Sequence, residues 1–224
     1  MSLKSKTMTA RTEGDASQAP KSRKKTVRRI PARLVRETID GIPFYYPGYR
    51  SVLRGAKTLE DIMGDSGLQS LLKTLLSSFL QTKLDKKKYL VLSGEIGLHI
   101  DRGTNLGLDI AVFDRAMLTP EKITTNYIDV PAQLVIEVDV NVELPQPGSD
   151  PFIKFFGRKI NHLLDFGTPR VLWVFTQSRK ILSATPGAPW VVYDWHHDVE
   201  LTDGIILNLA SYLKQEGFEP ASEE

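Results

Sequence analysis

The feature that most constrains this chain is a set of apolar, β-branched runs, each of strand length and each interrupted by a carboxylate. In Leu134-Val-Ile-Glu-Val-Asp-Val140 alternate residues face opposite sides of a strand. Leu134, Ile136, Val138 and Val140 then share one face, and Val135, Glu137 and Asp139 the other. Asp109 interrupts Leu108-Asp-Ile-Ala-Val-Phe113, and Glu95 lies between Leu90-Val-Leu92 and Ile96. Any one of these acids can point to water from a sheet edge. Three on successive strands ask for a partner, because burying a lone carboxylate costs on the order of several kcal/mol unless it is paired or binds a metal.

Helix and turn signals surround these runs. Asp40-Gly41 supplies the positive φ of a tight turn, so Arg36–Tyr46 reads as a hairpin. Thr58-Leu-Glu-Asp61 has the acid of a helix start three residues on. From Gly67 to Lys83 leucines and Phe79 recur every three or four residues, which predicts a helix with one core-facing stripe. Strands follow over Tyr89–Ile100, bent at Gly94 or Gly97, then Gly107–Phe113 after a turn at Gly103-Thr-Asn105, then Leu134–Val140. Asp150 as cap, Pro151 at the first helical position and Gly167 beyond the last turn bound a helix over Pro151–Phe166. Val171–Phe175, Lys180–Ala184, Trp190–Tyr193 and Gly204–Leu207 read as strands, and Asn208–Lys214 as a closing helix. The fold class expected is a mixed-sheet α/β or α+β domain with helices on its faces.

The Pro151–Phe166 helix offers the acids a partner. Projected at about 100° per residue, Phe152, Ile153, Phe155, Phe156, Ile160, Leu163, Leu164 and Phe166 fill one broad arc, and Lys159 falls inside it. A lysine there either snorkels to water from the edge of the arc or reaches over the sheet towards Asp109 and Glu137. Carboxylates with a lysine fit metal-dependent phosphodiester hydrolysis. Mg²⁺ takes one or two carboxylates with waters and substrate oxygens, lowers the pKa of water and neutralises charge on phosphate. A lysine can orient the attacking water and stabilise the transition state.

Composition limits the alternatives. The 224 residues include no cysteine, which excludes a disulfide framework, an iron–sulfur cluster and a thiolate zinc site. No apolar run is long enough for a membrane span, and no secretory signal is legible, so a reducing cytoplasm is the expected compartment. Nine basic and two acidic residues in 1–30 give +7, against −5 for the remainder. Residues 1–32 read as a disordered basic arm, either a solubilising terminus or an attractor of nucleic acid, 33–216 as the domain and 217–224 as a tail. His196-His197 beside Asp198, the isolated His99 and His162, and the scattered glycines make no convincing metal or phosphate motif.

In order and spacing, Leu108-Asp-Ile-Ala-Val-Phe113, Leu134-Val-Ile-Glu-Val138, Lys159 through Gly167 and Val171-Leu-Trp-Val-Phe175 resemble the PD-(D/E)XK nuclease superfamily, and more closely a bacterial restriction-endonuclease-like family. The resemblance covers roughly residues 36–214 and implies a restriction-endonuclease-like mixed β-sheet flanked by helices. By that resemblance Asp109 and Glu137 would hold Mg²⁺ (or Mn²⁺), with the Val138 carbonyl as a third ligand. Lys159, eight residues before Gly167, would be the catalytic lysine, and Glu95 would support metal or water. DNA is the implied partner, with a homodimer in keeping with such folds and no organic cofactor. Leu108 replaces a common proline, Leu163 a common tyrosine and Thr168 a common valine. Asp139 stands where the superfamily usually places its lysine, either as a ligand of a second metal or as a mark of lost catalysis. The function expected is a metal-dependent DNA endonuclease. The alternative is a catalytically inactive nuclease-fold module that binds nucleic acid or a protein partner.

Overall fold

A computed structural model describes residues 30–140 and 151–218, and those from Pro31 onward belong to one compact unit. The basic arm up to residue 29 and Asp150, the expected helix cap, lie outside the described residues. The elements in chain order are β1 (Val35–Ile39), β2 (Ile42–Tyr45), α1 (Tyr49–Leu53), α2 (Glu60–Met63), α3 (Gly67–Lys83), β3 (Tyr89–Asp101), β4 (Thr104–Asp114) and β5 (Leu134–Asp139). Then follow α4 (Pro151–Phe166), β6 (Val171–Phe175), β7 (Lys180–Ala184), β8 (Val191–Asp194), β9 (Asp198–Glu200), β10 (Ile206–Asn208) and α5 (Leu209–Gln215).

Eight strands form one sheet, along the path β2-β1-β4-β5-β6-β7-β8 with β3 also on β4, and β9 and β10 pair separately. Every pairing in the large sheet is antiparallel except β5 with β6, which α4 joins as a crossover. Because alternate strand residues face opposite ways, the sheet has two cores. Ile110, Val112, Ile136, Val138, Leu172 and Val174 pack with Leu72, Leu76 and Leu80 of α3 and Leu209 and Leu213 of α5. Ala111, Phe113, Val135, Val171, Trp173 and Phe175 pack with Phe155, Phe156, Ile160 and Leu163 of α4. None of the described helices is long and apolar enough to cross a membrane.

The β1–β2 turn is the tight one that Asp40-Gly41 predicts, with φ of 54° and 71°. It is tied to the neighbouring β3–β4 turn by Gly41 N to Gly103 O, 2.9 Å, and by Asp40 N to the Thr104 hydroxyl, 3.2 Å. That second turn is tighter than expected: Thr104 and Asn105 already belong to β4, and only Gly103, at φ 112°, takes a backbone closed to side chains. The bend in β3 falls at Gly94-Glu95, where the register with β4 slips between Ser93 and Ile96. Gly97 has another task, since a Cβ there would lie 2.6 Å from the Tyr127 ring. α1 and β9 were not expected. Nor was the C-terminal cap, in which Gly217 and Phe218 close α5 through bonds to Lys214 O and Leu213 O, so that only 219–224 of the expected tail lie outside the described residues.

Candidate active site at a strand fork

β3 runs along the whole of β4, so β1 and β5 must share the other edge of β4. β1 takes Asn105 and β5 takes Ile110–Val112. Between them Leu106–Asp109 have no strand on that edge. Side chains fill this fork.

Past the last ladder pair, Ile110 with Ile136, the Val138 amide donates to Asp109 Oδ2 at 2.8 Å instead of to a strand carbonyl. The carbonyl of Gly107 accepts from Lys159 Nζ at 2.6 Å. The same ammonium donates to Glu137 Oε2 at 2.9 Å and to Glu37 Oε1 at 2.8 Å, so all three of its protons are used. Lys159 is 0% exposed and Glu137 1%. The lysine does not snorkel: it passes between the Phe155 and Trp173 rings, 5.9 and 5.5 Å from their centroids.

Asp109 has a lysine of its own, from the opposite face of the sheet. Asp109 Oδ1 is 2.8 Å from Lys73 Nζ on α3, and Lys73 also holds both oxygens of Asp65 at 2.8 and 2.7 Å. The start of α3 is pinned in place by Gln69. Its Oε1 accepts from Ser66 N and its Nε2 donates to the Val138 carbonyl at 2.9 Å, which completes a capping box and anchors the helix to β5.

The structure thus gathers Asp109, Glu137, Val138 and Lys159, although Lys159 meets Glu137 and Glu37 while Asp109 meets Lys73. Glu95 is not brought into the cluster. It is exposed on the bulge at φ 43°, a backbone that turns the strand away there. Its charge is felt at Tyr46, where burial first and then Glu95 raise the pKa of the hydroxyl. Asp139 is engaged outside the fork: Trp173 Nε1 donates to it at 2.9 Å and the Arg36 guanidinium lies 3.7 Å away. Burial works against the Arg36 charge, but Asp139, then Glu37, Glu137 and Asp109, raise its pKa. His162 and Arg158, on the polar face of α4, hold Asp40 and take no part in the fork.

Sequence reasoning missed Arg36, Glu37, Asp65, Gln69 and Lys73. Glu37 alone left a signal, since it shares its strand face with Ile39, which is wholly buried.

Five carboxylates (Glu37, Asp65, Asp109, Glu137, Asp139) and three cations (Arg36, Lys73, Lys159) make up this network, a formal surplus of two negative charges. Two buried oxygens, Glu137 Oε1 and Glu37 Oε2, have no hydrogen-bond partner. Burial pushes the Glu137 carboxyl up to about 8, Lys159 opposes it, and Asp109 and Glu37 add to it. Lys159 stays charged, because Glu137 and Glu37 outweigh its burial. Two buried carboxylates thus share one ammonium.

The surplus charge, the orphaned Glu137 oxygen and the all-oxygen donor set fit a hard divalent cation. Among the described residues no three carboxylate or imidazole groups converge as a ready cage. An ion here would therefore be held in the Mg²⁺ manner, by Asp109, Glu137 and the second lone pair of the Val138 carbonyl, with water completing its shell.

A pH dependence follows from the raised Glu137 pKa. Its stabilising contribution is fully present below the ordinary value of 4.5 and is lost as pH rises through about 8. In chelator, thermal melts across that window should show the parent protein losing stability relative to Glu137→Gln. Parallel curves would mean that the buried charge costs nothing.

No protein-family model and no curated protein matches this chain. Among solved structures, its fold is similar to that of "a putative nuclease belonging to DUF820 from Anabaena variabilis ATCC 29413", with a TM-score of 0.53 and 16% identity, covering 79% of this chain and 90% of that one. Identity this low speaks to architecture alone, and the architecture agrees: a large, mostly antiparallel sheet with a single parallel crossover, flanked by helices. What the two share is this fold, a mixed sheet between two layers of helices.

Proposed function

We propose that this domain is a metal-dependent nuclease that hydrolyses phosphodiester bonds in DNA, with the strand fork as its active site. The observation that carries this reading is the buried Asp109–Glu137 pair, joined through Val138, within a network of five carboxylates and three cations. The solved structure of similar fold, described as that of "a putative nuclease", supports the reaction class.

When bound, Mg²⁺ or Mn²⁺ would supply Lewis acidity and a water of lowered pKa. Asp109, Glu137 and the Val138 carbonyl would hold the ion. Lys159 positions Glu137: its fixed donation to Oε2 leaves Oε1 as the free ligand atom. Glu37 and the Gly107 carbonyl position Lys159 in turn. Trp173 and Arg36 keep Asp139 out of the fork, so the acid at the usual lysine position does not count against catalysis. Glu95, exposed on the β3 bulge, would support water or substrate from outside the cluster.

A second reading, a nuclease fold that binds nucleic acid without cutting it, is favoured by the sealing of Lys159, which no phosphate can reach while its three protons are engaged. Supercoiled and single-stranded DNA incubated with Mg²⁺ or Mn²⁺ separate the two. The nuclease reading expects cleavage that disappears with chelator and with Asp109→Ala. Binding without cleavage would support the second reading.

A further inference from the structure

We propose that Lys73, rather than Lys159, is the ammonium that receives a phosphodiester oxyanion at this site, and that Asp65 is the counter-ion it releases when nucleic acid arrives. The assignment rests on the nuclease reading and names the group that touches its substrate.

The two lysines are alike in chemistry and opposite in access. Lys159 is 0% exposed, with two of its protons on buried carboxylates and the third on the Gly107 carbonyl. Lys73 keeps 16% of its side chain in solvent and its partner Asp65 keeps 38%. One donor direction of Lys73 points inward to Asp109 Oδ1, which places the ammonium directly beside a proposed metal ligand. The rest of its capacity goes outward to both oxygens of Asp65.

Asp65 behaves as a place-holder. It immediately precedes the cap of α3, and Lys73 is the one side chain that holds it among the described residues. α1 and α2, which lead into it, bury no residue, and the pair with Lys73 is what orients its carboxylate. A solvent-screened pair of this kind is weak and can be exchanged. A phosphodiester oxygen is an anion of similar size with the same acceptor geometry, so the exchange leaves Lys73 paired and Asp109 undisturbed. Burial works against the Lys73 charge, but Asp109 and Asp65 outweigh it, so the ammonium is protonated when substrate comes. The Gln69 anchor between α3 and the Val138 carbonyl holds the lysine over the fork while its counter-ion changes.

The test is the anisotropy of a fluorescent DNA duplex and of its single strand, titrated with the full chain in Ca²⁺ buffer at several salt concentrations. Melting curves accompany every variant. Lys73→Met is expected to weaken binding about tenfold and to reduce the salt slope by about one phosphate contact, with Lys73→Arg restoring most of both. Asp65→Asn should tighten binding several-fold in the parent protein and change nothing in the Lys73→Met background. If Lys73→Met does not fold, Asp65→Asn alone decides by its sign. Unchanged affinity and slope in a folded Lys73→Met protein, or weaker binding by Asp65→Asn, would overturn the assignment and leave the nuclease reading standing. A parent protein that binds neither DNA would end both.

Discussion

Lys159→Met is expected to destabilise the domain by about 3–5 kcal/mol, the usual cost of removing one partner from a buried ion pair. For a domain of this size that corresponds to a fall in melting temperature of roughly 10 °C. The substitution preserves most of the packing between Phe155 and Trp173, so lost volume contributes little. What remains is electrostatic: Glu37 and Glu137 stay buried with no cation, and the Gly107 carbonyl loses its donor in a fork that no strand can fill. The size of the effect thus reports the two stranded carboxylates. Adding Glu37→Gln and Glu137→Gln to Lys159→Met should recover more than half of the loss, because neutral carboxamides are far cheaper to bury. A single-variant loss below about 1 kcal/mol would mean that the ammonium is not sealed as described.

The second large effect lies in activity and has the opposite sign in stability. Glu137→Gln should lower cleavage roughly a thousandfold, comparable to losing a key electrostatic contact in a preorganised site. The carboxamide keeps an oxygen for Lys159 and removes the charge that burial resists. The metal-free variant should therefore be as stable as the parent at neutral pH, or more so. A more stable and inactive protein is the signature of a site that keeps a strained charge for function. Asp109→Asn should be equally inactive but not stabilised, since it weakens the pairing with Lys73 and gives the donating Val138 N–H a weaker acceptor than a carboxylate. Activity surviving in both variants would remove the carboxylates from the chemistry.

The helices and inner strands were legible because several signals coincide in each. α3 combines a leucine stripe with the Ser66–Gln69 capping box, and α4 a broad apolar arc with Pro151 and Gly167. α1 and β9 were not legible, being five and three residues long, with no buried residue in α1 and only Val199 buried in β9. The same logic divides the site. Asp109, Glu137 and Lys159 stand out as charges in apolar surroundings. Lys73 and Gln69 look like the ordinary polar side of a leucine helix, and Arg36 and Glu37 like the polar residues of a hairpin. They become part of a site only where β1 and β5 separate along β4, a property of strand pairing that no local pattern encodes. Glu95 is the converse case, an acid in a strand that a bulge turns outward.

The central claim is that the fork holds a divalent cation through Asp109 and Glu137. Calorimetric titration of the chelator-treated full chain with Mn²⁺, in buffers of different ionisation enthalpy, tests it directly. One equivalent should bind with release of a proton from Glu137, and Glu137→Gln should abolish both the binding and the proton signal. No binding by the parent, or binding unchanged in Glu137→Gln, would contradict it.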